Sequence, residues 1–287
     1  MRGTQSRIFL QRVTKLRTMI NRRLFSSTVA AGAAASLLSA ITRAATAQET
    51  AAVPVVPAGP APRVRNVVLV HGAYADGSCW LDVIGRLQAA GLRATAVQNS
   101  LNSLQDDVAA TRRILALQDG PTVLVGHSFA GMIISEAGTD PKVASLVYVA
   151  ARGPDAGEDY TALAAKYPRP PASNGLVAVD GFAQLSEEAF LKYFAGDVDP
   201  IRARALYAVQ GRVSTSLFSG RTTAAAWRSK PSWYQVSKND MTISPDLQRF
   251  MAARMKAKTI ELESSHVSLI SHPAEIANLI LEAAANS

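Results

Sequence analysis

From residue 64 onward, short apolar runs alternate with stretches whose apolar positions fall three and four residues apart. The first run is VVLVH at 67–71. In 79–90, Trp80, Val83, Ile84 and Leu87 share one helical face, and Gly91 stops the helix. Residues 92–97 are strand-like. Leu104, Val108, Thr111 and Leu115 line one side of a helix over 104–117. Residues 122–125 predict a buried strand, 129–137 the helix after it, and VASLVYVA at 143–150 a long strand. Ser232–Ser237, Pro245–Met255, 259–262 and 273–284 continue the alternation, with Pro245 and Pro273 suited to first helical turns. Strands apolar throughout, rather than at every second position, are covered on both faces. The pattern therefore predicts an α/β fold, a mostly parallel sheet of about six strands flanked by helices.

Residues 152–230 break this rhythm. They hold prolines, scattered aromatics and helical patches over 187–195 and 201–211, but no clear strand. They read as an insertion before the last two strands, a helical lid over the carboxyl edge of the sheet. Open parallel sheets bind their ligands at that edge.

The formal charge of +8 suggests a polyanion partner until its placement is considered. Eight of the 30 Lys and Arg residues fall in residues 1–47, which have no acid; the other 22 face 22 Asp and Glu. The body is thus neutral and gives no reason to expect nucleic acid as a partner. Residues 1–47 read as a twin-arginine-type signal peptide: Arg22-Arg23 followed by Leu24-Phe25, an uncharged run over 28–41, and small residues at Ala45-Thr46-Ala47. That run is shorter than the roughly 20 residues a span requires, so no stable membrane span is expected once the signal is removed; a retained anchor is the alternative. Met19 is a second possible start, nearer the arginine pair. The reading places the protein in the periplasm or outside the cell. Residues 48–63 hold four prolines and read as a linker, leaving 64–287 as the ordered domain. The single cysteine, Cys79, has no base beside it and reads as a packing residue.

In TVLVGHSFAG, 122–131, a buried strand runs into Ser128 and a helix follows. Gly126 and Ala130 flank the serine two residues away on each side, with His127 between. A sharp strand-to-helix turn leaves no room there for large side chains. It also sets the serine above backbone N–H groups that favour negative charge. A hydroxyl is a weak nucleophile and needs a base, and the base needs an anion. His266 follows the strand at 259–262 and is the candidate base, with His272 as rival; His71 reads as structural. Asp240 follows Ser232–Ser237 and is the candidate acid, with a simple turn as the plain alternative and Asp155 as a second choice. The order Ser128, Asp240, His266 is the one this strand–turn–helix arrangement uses. Backbone N–H groups of Ala73, after the first strand, and Phe129 are candidates for an oxyanion hole. No phosphate loop, dinucleotide fingerprint or metal-ligand spacing occurs, so neither cofactor nor metal is expected.

VLVHGAYADGSCW (68–80), VGHSFAGM (125–132), YQVSKNDMTISPDLQRFMA (234–252) and SSHVSLISHP (264–273) resemble the α/β-hydrolase superfamily. Within it, the chain is similar to the small-lid group of methylesterases, hydroxynitrile lyases and bacterial esterase-like proteins. The resemblance covers 64 to the end and departs at Ala130, where glycine is usual. Lyases of the group have threonine where this chain has Gly72. The resemblance therefore implies a Ser128–Asp240–His266 triad and an esterase acting through an acyl-enzyme on small or medium apolar esters, and the leader implies that it is exported. Tyr74, Phe182, Phe190, Tyr193 and Trp227 are the aromatics available to a substrate pocket. Cofactor-free perhydrolysis or C–C bond hydrolysis by the same triad, and a non-catalytic small-molecule binder on this fold, are the alternatives.

Overall fold

The computed structural model describes residues 64–287; the twin-arginine segment at 1–47 and the linker at 48–63 lie outside the described residues. The strands β1 (Asn66–Val70), β2 (Arg93–Val97), β3 (Thr122–His127), β4 (Val143–Val149), β8 (Ser232–Ser237) and β9 (Lys258–Leu262) form one sheet. Its order is β2-β1-β3-β4-β8-β9, and every neighbouring pair is parallel. All residues of β1 and β3 are buried, as continuous apolar runs require, whereas the edge strands β2 and β9 keep exposed positions. Helices Leu81–Ala89 and Pro273–Ala285 pack together, as do Leu104–Ala116 and Ala130–Ala137, so that the sheet is flanked by helices. The mostly parallel α/β fold expected from the hydrophobic pattern is what the chain forms.

The sheet order reverses at β1. The chain moves outward from β1 to β2, then returns to β3 on β1's other side and continues away. The carboxyl ends of β1 and β3 therefore flank a topological switch point, where the two following loops diverge and leave a crevice. Those loops begin at His71 and Ser128.

Between β4 and β8 the chain builds short helices and a second, three-stranded antiparallel sheet. Its strands are β5 (Leu176–Val179), β6 (Phe182–Leu185) and β7 (Val213–Ser214). The absence of strands read into 152–230 is thus corrected. All four residues of β5 are exposed, so no burial pattern marks it. The local signal is Asp180-Gly181: both residues have positive φ, 50° and 77°, as a tight hairpin turn requires. The helical patch at 187–195 is also not one α-helix. One short turn over Glu187–Ala189 passes into a π-turn over Phe190–Phe194, in which the Ala195 N–H donates to the Phe190 carbonyl. Among the described residues no helix is long and apolar enough to cross a membrane.

Candidate active site

Ser128 has a φ of 56°, a left-handed conformation that costs a non-glycine residue free energy. The surroundings hold it there. Its N–H donates to the Val149 carbonyl, and its own carbonyl accepts from Gly131 and Arg152 N–H. The turn closes so tightly that a Cβ on Gly126 would sit 2.8 Å from the Ala130 carbonyl oxygen. A Cβ on Gly131 would sit 1.8 Å from the Arg152 carbonyl oxygen. Ala130 keeps its methyl and opens the helix Ala130–Ala137, so the departure from glycine there is accommodated. Gly72 presses from the β1 side, where a Cβ would lie 2.7 Å from Ser128 Cβ and 3.3 Å from Phe129 N. This close approach sets the loop that holds Ala73 against the Phe129 N–H. No acceptor among the described residues takes the N–H of either.

The structure gathers the three side chains that lie after β3, β8 and β9. Ser128 Oγ donates to His266 Nε2 at 2.7 Å, and His266 Nδ1 donates to Asp240 Oδ2 at 2.6 Å. All three are buried. Asp240 also serves the turn that was its plain alternative: Oδ1 accepts from Thr242 and Ile243 N–H at 2.7 and 2.9 Å. One carboxylate oxygen caps the turn and the other meets the histidine. Asp155, the second-choice acid, is instead bound by Arg228. His272 occupies the cap position of the last helix without a side-chain capping bond, and its Nδ1 pairs with Ser271 Oγ. His71 accepts the Asn99 N–H on Nε2 and donates from Nδ1 to the Gly72 carbonyl, fixing the loop after β1.

Gln248, Asp197 and Phe194, which the sequence did not single out, complete this frame together with His127 of the nucleophile turn. Gln248 Nε2 donates to Asp240 Oδ2 at 2.7 Å, while its Oε1 accepts from Ser237 N–H. Asp197 accepts from Ser265 N–H and Oγ and so fixes the residue beside His266. His127 Nε2 donates to the His266 carbonyl at 3.0 Å, and its ring lies 4.9 Å from that of His266. Burial, then the neighbouring His266, pull His127 well below the ordinary histidine range, so it is neutral. The π-turn sets the Phe194 ring 5.2 Å from His266. Gln248 lies eight and eleven residues from its partners, whereas the Asp197–Ser265 and His127–His266 contacts join residues 68 and 139 apart in sequence.

A cavity of about 150 Å³ opens at Ser128, lined by Ala73, Tyr74, Leu176, Leu185, Phe218 and Ile243 among others. Of the five aromatics offered for a pocket, Tyr74 lines it; the others do not. Phe190 lines a smaller cavity of about 20 Å³ with His127. Phe182 is exposed, Tyr193 lies under Lys192, and Trp227 donates to the Pro154 carbonyl beneath Arg228 and Arg254. Of these, Trp227 ties the insertion to the body, through its contact with Arg254. Arg152, a cation that no motif in the sequence marks, also lines the cavity. Among the described residues no group of three metal-ligating side chains occurs.

A parallel sheet with a serine on a strained strand-to-helix turn at its switch point defines the α/β-hydrolase class of fold. The chain belongs to the alpha/beta hydrolase family, which it matches over residues 67–279. It is 26% identical over 257 residues to Methylesterase 2 of Arabidopsis thaliana, spanning 78% of this chain and 97% of that protein. It is also 26% identical over 260 residues to Esterase PIR7B of Oryza sativa subsp. japonica, spanning 77% and 96%. A pyrethroid hydrolase from Sphingobium faniae has the same fold, with a TM-score of 0.67 at 24% identity over 77% of this chain and 97% of that one. The chain is an esterase-like member of the family.

Proposed function

We propose that the protein is an exported serine hydrolase of carboxylic esters. The observation that carries the reading is the continuous relay Ser128 Oγ–His266–Asp240 beside an open cavity. Ser128 Oγ attacks the acyl carbonyl as its proton passes to His266 Nε2, and Asp240 stabilises the imidazolium. The N–H groups of Ala73 and Phe129 receive the oxyanion. His266 returns the proton to the departing alcohol. Water then attacks the acyl-serine with the same histidine as base, releasing the acid and restoring Ser128. The apolar part of the lining, Leu176, Leu185, Phe218 and Ile243, suits small or medium esters. The curated relatives named as esterases support the reaction class.

Removing Ser128 takes away the bond-forming atom, so Ser128→Ala is expected to cut p-nitrophenyl ester turnover at least about a thousandfold. A fluorophosphonate probe should label the wild-type protein at Ser128. Absence of labelling, with ester turnover also absent, would favour a binding protein instead. Export rests on the arginine pair: replacing Arg22 and Arg23 by lysine should hold the full chain in the cytoplasm, read by cell fractionation.

A further inference from the structure

Arg152 lies just past the end of β4, and its backbone N–H donates to the Ser128 carbonyl at 2.9 Å. Its guanidinium stands 4.5 Å from the ring centres of both Tyr160 and Phe218, and 5.8 Å from that of Phe129. Three rings thus pack against the cation, but ring contacts leave its N–H bonds without hydrogen-bond acceptors. Nε and Nη1 are buried and have no acceptor among the described residues, and Arg152 has no salt-bridge partner there. Arg254, by comparison, is held by Glu158 and the Gly153 carbonyl.

A second unpaired group belongs to another residue that lines the same space. Thr242 Oγ1 is buried without a partner, although the Thr242 N–H is used by Asp240. Arg152 and Thr242 line the cavity at Ser128 and also a neighbouring one of about 230 Å³, with Ser173, Phe218 and Ile243 common to both. No Asp or Glu lines either cavity. Asp240, two residues before Thr242, has its carboxylate committed to Thr242 and Ile243 N–H, Gln248 and His266.

A desolvated guanidinium without a counter-ion is costly, and its fork matches a carboxylate in two parallel hydrogen bonds. We propose that Arg152 and Thr242 form a carboxylate subsite, and that the substrates are esters carrying a second, free carboxylate. This rests on the hydrolase reading and names its substrate class. Ser128 acts on the ester carbonyl while the guanidinium N–H groups and the threonine hydroxyl hold the charged end. The free carboxylate belongs either to the acyl part, as in a half-ester of a dicarboxylic acid, or to the alcohol part, as in an acylated hydroxy acid.

Two pairs of substrates distinguish these sources: monomethyl glutarate against methyl pentanoate, and 4-acetoxybutyrate against butyl acetate. In at least one pair the carboxylated ester should have the higher kcat/KM by about tenfold or more, the scale of a charge-assisted hydrogen bond. Added salt should shrink that ratio. Arg152→Gln should bring it near one, and Thr242→Val, which keeps shape and removes the hydroxyl, should lower it several-fold. Binding supplies a readout without turnover: glutarate should bind Ser128→Ala protein at least about tenfold more tightly than the Ser128→Ala/Arg152→Gln protein, measured by calorimetry. Neutral esters preferred in both pairs by a protein that fluorophosphonate labels at Ser128, with glutarate affinity indifferent to Arg152, would overturn the subsite and leave the hydrolase standing. Loss of labelling with glutarate still bound through Arg152 would do the reverse.

Discussion

A carboxylate that orients a histidine must itself be held, and Asp240 is held from four sides. Two backbone N–H groups fix Oδ1, while Gln248 and His266 share Oδ2. Gln248 links this acid to β8, because its Oε1 takes the Ser237 N–H. Gln248→Met keeps the volume of the side chain but strips a donor from the buried carboxylate and orphans a buried N–H. The expected cost is about 1–3 kcal/mol of stability, read by denaturant unfolding, together with a lower kcat as the acid loses its fixed position. Unchanged stability and kcat would show the bridge to be idle. Asp240 and His266 were legible in the sequence because each follows the end of its own strand, where chemistry-bearing residues gather in this kind of sheet. Gln248 was not, since on its helix it reads as one more polar position. Asp197 and Arg152 were hidden for a different reason. Their partners lie on other elements, and only the folded chain pairs Asp197 with Ser265 and sets Arg152 among three rings.

At the scale of the element, the strand–turn–helix unit over 122–137 depends on which positions can carry a methyl group. The sequence pattern directs attention to Ala130, where the family usually has glycine. The geometry moves the constraint one residue on. Ala130 already bears its Cβ at the first position of a regular helix, whereas a Cβ on Gly131 would overlap the Arg152 backbone. Ala130→Gly should therefore cost only about 0.5–1 kcal/mol, the ordinary helix penalty of glycine. Gly131→Ala should cost at least about 2–3 kcal/mol, because backbone rather than a flexible side chain must move. It should also displace Arg152, whose peptide is bonded to Ser128, and so reduce ester turnover. Thermal or denaturant unfolding of the two variants checks the order, and equal costs would refute it. The same scale explains what the periodicity missed. Continuous apolar strands announce the central sheet, but exposed β5 carries no such mark and only its Asp-Gly turn betrays the hairpin.

For the whole molecule, the parallel order places four left-handed residues after successive strands: Tyr74 after β1, Leu101 after β2, Ser128 after β3 and Ala150 after β4. The chain turns sharply where it leaves the sheet, and two neutral histidines brace the turns nearest the switch point. His71 holds the loop after β1, and His127 holds the carbonyl of His266. Burial is the main cause that pulls both below the ordinary histidine range, His127 further than His71. In the unfolded chain each imidazole takes up a proton as pH falls through about 6.5, while the folded protein does so only at lower pH. Below that point the unfolded state binds more protons, so stability is full above about pH 6.5 and is lost as pH falls toward the folded values. The limiting slope is about 1.4 kcal/mol per pH unit for each histidine. Unfolding free energies measured by denaturant between pH 7.5 and 5 should fall with this sign. His127→Gln should flatten the slope by close to one proton, whatever it does to stability at pH 7.5, because the group that titrates between the two states is gone. A slope unchanged by His127→Gln would mean that His127 titrates alike in both states and that its burial does not set its charge.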